Sequence, residues 1–147
     1  MLMDGDDREA RLRHGEELWT RLTRVLDAHL HEPVGPSTDW TGHDVYAHFA
    51  RWQAHAAETL RRVARGEHAL AIEGDENEIN ERWRAADRSL STESVRTSCE
   101  ETRQELRSVL LSFDAEQWAR FGRHISAEDV TGEHYEHHLV DAGVNAS

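Results

Sequence analysis

Eleven histidines stand in a chain of 147 residues, and three of them have the surroundings that metal chemistry asks for. His134 and His138 are four apart in the run Glu133-His134-Tyr135-Glu136-His137-His138. On a helix this spacing sets both imidazoles on one face, one turn above the other, where they can give one ion two nitrogen ligands. Helices rich in Glu, Arg and His also carry such pairs on a solvated face, so the pair does not decide the matter alone. His48 lies in an apolar stripe between Val45 and Trp52. An imidazole buried there must be satisfied by a hydrogen bond or a metal, and taken singly it reads as a core histidine first. Taken together, the three set one ligand on one helix opposite a pair on another, 86 residues further along from His48 to His134. Three neutral imidazoles with open positions suit Zn²⁺ first and Ni²⁺ or Fe²⁺ as alternatives, with a water or substrate atom completing the shell. A closed structural site would need a fourth strong ligand. No cysteine is placed to supply one, so the site reads as open, as catalysis requires.

Trp52 follows His48 by one helical turn on the same face, and His55 follows by two. Trp52, Asn80 and Trp83 are the expected pocket residues, because aromatic walls with a few polar groups suit a small molecule. Plain core packing is the competing reading for both tryptophans; Asn80 stands out because mid-helix asparagine is a poor choice for stability alone. His14, His43 and His68 lie among charged or loop residues and read as solvated, whereas His29, His31 and His124 show no partner pattern. His137 is a neighbour of the pair, either a supporting group or a competing ligand. No general base is evident beyond the triad, although Glu133 and Glu136 are close in sequence.

The elements that must position these residues are helices. The chain has two prolines, Pro33 and Pro36, and strong helix formers dominate elsewhere. Leu12, Trp19, Leu22, Val25, Leu26 and Leu30 keep a three-to-four spacing that predicts a first helix over Asp6 to His31. Thr41-Gly42-His43-Asp44 has the form of a capping box opening a second helix, with Val45, His48, Phe49, Trp52, Ala56, Leu60 and Val63 inward and Gly66 as its stop. A loop from Glu67 to Asn77 precedes a short helix over Glu78 to Asp87. Ser91-Thr92 starts the longest periodic run, through Val95, Cys99, Thr102, Leu106, Val109, Leu110 and Phe113, and Asp114 caps a further turn. Ser126-Ala127-Glu128-Asp129 predicts the start of a final helix running to about Asp141, with a fraying tail from Gly143. The expectation is an all-α protein: one domain over 1–147, a four-helix bundle with a short extra helix in its middle connection.

Composition limits the partners. A net charge of −12 argues against nucleic acid, which needs a positive footprint. All 17 basic residues are arginine, which removes catalytic lysine and points to a GC-rich bacterial genome. The single cysteine, Cys99, sits on the apolar stripe of its helix and reads as a small core residue. With no cysteine pair, no signal peptide and no run of apolar residues long enough for a membrane, the expected place is the cytoplasm. Pairing of two copies into a homodimer stays open.

The run Trp40-Thr41-Gly42-His43-Asp44-Val45-Tyr46-Ala47-His48-Phe49-Ala50-Arg51-Trp52 resembles the second-helix motif of the DinB-like superfamily: an aromatic, a short cap, then Asp-Val-x-x-His-hydrophobic. Thr131-Gly132-Glu133-His134-Tyr135-Glu136-His137-His138 is similar to the family's C-terminal His-Tyr-x-x-His segment. The resemblance is nearest to the metal-binding domain of mycothiol-dependent maleylpyruvate isomerase and covers essentially the whole chain. It implies a DinB-like four-helix bundle with a divalent metal on His48, His134 and His138. It also implies a low-molecular-weight thiol such as mycothiol as co-substrate, in S-transfer or thiol-assisted isomerisation of a small electrophile. The isomerase has a further C-terminal domain, so what carries over is the metal site rather than that activity. Two other readings are a metal-dependent hydrolase of an activated or strained small molecule and a non-enzymatic metal- or ligand-binding bundle.

Overall fold

The computed structural model describes residues 5–122 together with His138 and Gly143, and every regular element among them is helical. Helix α1 spans Gly5–Ala28, α2 Gly42–Ala64, α3 Glu76–Asp87, α4 Thr92–Ser112 and the short α5 Ala115–Gln117, which runs into a π-helical turn, Trp118–Gly122. The protein is an all-α helical bundle. The helix expected over Ser126 to Asp141 lies outside the described residues, apart from His138, which is helical.

Local chemistry sets the boundaries. The Thr41 hydroxyl accepts from Asp44 N while an Asp44 carboxylate oxygen accepts from Thr41 N, each at 3.1 Å, so the first orphan amides of α2 are satisfied reciprocally. Gly66, at φ +82°, follows the end of α2 in the left-handed conformation that favours glycine. Asp75, Ser91 and Asp114 cap α3, α4 and α5 through their side-chain oxygens, which starts α3 two residues before the expected Glu78.

Helix α2 is the centre of the bundle and packs most extensively on α4. Between them Gln53 is fully buried, its amide donating to Cys99 O and Thr102 Oγ1 at 3.0 Å each. The apolar interior falls into two clusters. One, around Leu22, Leu26, Phe49, Val95 and Cys99, lies toward the start of α2; the other, around Leu12, Leu60, Leu106, Leu110 and Trp118, lies toward its end.

The start of α2 abuts the end of α1. Gly42 N donates to His29 O at 2.8 Å and His43 N to Leu30 O at 3.1 Å, so free amides of one helix serve free carbonyls of the other. A Cβ at Gly42 would meet Leu26 O at 2.2 Å; only glycine permits this approach. The connection from His29 to Trp40 is closed by Val34 N donating to Trp40 O at 2.9 Å. This fixes Trp40 immediately before the cap, and with it the height of His48 along the bundle.

Candidate metal centre and pocket

His48, 7 % exposed, projects from the second turn of α2 into an aromatic enclosure. Its ring stands edge-on to Trp40, with centroids 5.3 Å apart and planes at 88°, and to Phe49 at 5.6 Å and 71°. The ring of His138, ninety positions further along the chain, has its centroid 5.0 Å from that of His48 and 4.9 Å from that of Phe49. Two of the three histidines singled out by spacing are thus neighbours in space. His134, together with His137, Glu133 and Glu136, lies outside the described residues. Among the described residues no three His, Cys, Asp or Glu side chains form a metal-holding group.

The observed pair can be tested for fit. Two imidazoles on one ion, each nitrogen at about 2.0–2.1 Å, have ring centres about 4.5–5.2 Å apart over the usual ligand angles. The spacing of His48 and His138 falls in that range, and a largely buried imidazole in an apolar wall is the donor such an ion uses.

One turn along α2 the expected pocket residues meet. Trp52 Nε1 donates to Asn80 Oδ1 at 2.7 Å, and the Trp52 ring packs on Trp83 at 5.0 Å and on His55 at 5.5 Å. The mid-helix asparagine thus has a definite partner: it ties α3 to α2 through the indole nitrogen. Trp83 and His55, but not Trp52 or Asn80, line a cleft of about 450 Å³ between α2, α3, α4 and the loop carrying Ile72. The wall of the cleft is braced by Arg51, which pairs with both Asp87 carboxylate oxygens at 2.7 and 3.0 Å and lies over the Trp83 ring at 5.4 Å.

The other histidines divide. His14, His31 and His68 are exposed, and His124 lies outside the described residues. His29, just past the end of α1, bonds Val25 O through Nδ1 at 3.0 Å. His43, expected to be solvated, is 7 % exposed instead: its Nε2 is 3.1 Å from Asp87 O and its Nδ1 3.3 Å from Thr92 Oγ1. It joins the end of α3 to the start of α4, contacts invisible to a reading of its charged sequence neighbours. Cys99 is fully buried, and that burial pushes its thiol up to about 12, so the chain's one thiol is no nucleophile at neutral pH.

The site has one further component that spacing did not show. Arg84, on α3, has a side chain only 7 % exposed and is 3.2 Å from Asp44, itself 5 % exposed. Burial disfavours the guanidinium's charge, but Asp44 and Asp39 outweigh that and hold its pKa above the ordinary value. Its Cζ lies 5.1 Å from the centre of the Trp40 ring, the same ring that meets His48.

Over residues 12–144 the sequence matches the family described as the mycothiol maleylpyruvate isomerase N-terminal domain. The chain belongs to this family. No curated protein and no solved structure matches it. The helical bundle is thus of a mycothiol-related, DinB-like family. Among the described residues no helix is long and apolar enough to cross a membrane.

Proposed function

We propose that this mycothiol isomerase-type domain is a metal-dependent enzyme acting on a small electrophile with a low-molecular-weight thiol such as mycothiol, as an S-transferase or thiol-assisted isomerase. His48, His134 and His138 would hold the divalent metal, Zn²⁺ before Ni²⁺ or Fe²⁺. The observation that carries the reading is the approach of His48 and His138 to 5.0 Å, in a wall that buries His48. When bound, the metal supplies a Lewis acid that lowers the pKa of a thiol or water reaching its open position.

The remaining work falls to the chain's own residues. Trp40 and Phe49 crowd the His48 ring and keep bulk water from the imidazole, which strengthens polar interactions there. The Trp83 and His55 rings line the cleft and offer the organic part of a substrate an aromatic face. Because Cys99 is sealed in the core, the attacking sulfur must come from a small molecule.

Metal analysis of purified protein tests the reading. About one Zn²⁺ per chain is expected in the wild type, and a loss of at least tenfold in affinity in His48→Ala and His138→Ala, as removal of one of three ligands requires. Mycothiol conjugation to chlorodinitrobenzene and related electrophiles should then stop on chelation and return with Zn²⁺. If both alanine variants, with wild-type helix content, retain the metal, the triad is refuted. Metal binding without turnover by any thiol or by water would leave a binding bundle in place of an enzyme.

A further inference from the structure

We infer that Arg84 is a positioning residue for His48, acting through Trp40, so that the short helix α3 orients the metal-binding imidazole of α2. The inference rests on the metal reading above and assigns a role to residues outside the proposed triad. Its basis is a continuous line of contacts. The Arg84 guanidinium lies over the Trp40 ring, with Cζ 5.1 Å from its centre, and that ring stands perpendicular to His48 at 5.3 Å. Arg84 cannot drift along the ring, because Nε is 3.2 Å from Asp44 Oδ2 and Nη2 donates to Asp39 O at 3.2 Å. Asp44 Oδ2 is also the atom that accepts from Thr41 N in the cap. One carboxylate oxygen therefore fixes the start of α2, the arginine, and through it the indole.

Stability alone is a weak reason for this arrangement. A buried ion pair gains little over well-packed apolar side chains of the same volume, because desolvation offsets its attraction. What an arginine adds is a flat, delocalised cation that stacks on an aromatic face while its fork holds carboxylate and carbonyl oxygens, which lysine cannot reproduce. The indole so held limits the tilt of the His48 ring from one side, and Phe49 and His138 limit it from others. Groups that orient a ligand from behind typically carry ten- to a hundredfold in metal affinity.

The test uses the full chain, Zn²⁺ affinity from competition with a chromogenic chelator, and the visible spectrum of the Co²⁺-loaded protein. Arg84→Lys keeps a cation beside Asp44; it is expected to keep wild-type helix content, bind Zn²⁺ about tenfold more weakly, and shift the Co²⁺ bands. Trp40→Leu is expected to do the same. The double variant should be no weaker than the worse single, because both act along one path. Trp40→Phe, which keeps an aromatic face and edge, should stay within about threefold of wild type. Wild-type affinity and spectrum in a folded Arg84→Lys, or losses that multiply in the double variant, would overturn the inference. Should Arg84→Lys fail to fold, unchanged Zn²⁺ binding in Trp40→Leu overturns it equally. A wild type that binds no Zn²⁺ removes the metal reading itself and is thereby distinguished from failure of the positioning role.

Discussion

At the end of the bundle where α2 begins, the packed interior takes in His43, Asp44, His48, Arg84 and Asp87, all less than a tenth exposed. Around Leu60, Leu106, Leu110 and Trp118, where α2 ends, the packed cluster is hydrocarbon and aromatic, and its buried polar atoms include the Thr59 hydroxyl and Trp118 Nε1, neither with a hydrogen-bond partner among the described residues. Both ends are equally well buried, yet the forces differ. Apolar burial stabilises without direction, whereas hydrogen bonds and ion pairs contribute little net stability and fix orientation. The difference teaches that the site end is constructed for geometry and the far end for cohesion.

Substitutions can break that comparison or sharpen it. The largest effect is expected for Asp44→Ala, which strands the buried Arg84 guanidinium and removes half of the capping box; unfolding in urea should show a loss of about 3–5 kcal/mol, accompanied by weaker Zn²⁺ binding. Leu106→Ala, in the fully buried far cluster, should cost about 2–5 kcal/mol and leave Zn²⁺ affinity within about twofold, since distant sites act independently. A drop in metal affinity as large as that in Asp44→Ala would erase the distinction between the ends. The smallest effect sharpens it: the Thr59 hydroxyl, 3 % exposed, finds no hydrogen-bond partner among the described residues. Thr59→Val should raise stability by up to about 1 kcal/mol with metal binding unchanged, as measured by the same denaturation and competition assays.

Much of the fold is legible in the residues themselves. The caps at Thr41, Ser91 and Asp114 and the apolar periods of α1, α2 and α4 depend on neighbours within a few residues, and the expected helices agree with those observed to within about three residues over the described chain, the usual scatter for helix ends. His48 is legible because a polar residue inside an apolar stripe contradicts its surroundings. Arg84 is not, since Glu81-Arg82-Trp83-Arg84 has the look of a solvated face, and its burial depends on Asp44, forty positions away. His43 looks solvated for the same reason: its partners, Asp87 and Thr92, arrive from outside α2. Asn80 is conspicuous in its helix, and the tie to Trp52 is what lies behind the oddity. Local physics reveals elements and anomalies; partners across the fold need the fold.

The contact at Gly42 has an evolutionary consequence. What a side chain there would strike is main chain, at Leu26 and His29, so no exchange of neighbouring residues could make room for one. The position of His48 is thereby pinned by backbone atoms that mutation does not alter, while Ile72, Leu90 and Ser98 line the cleft with side chains that mutation does alter. Descendants of such a scaffold can change what they recognise by resurfacing the cleft, with the histidine left where it stands.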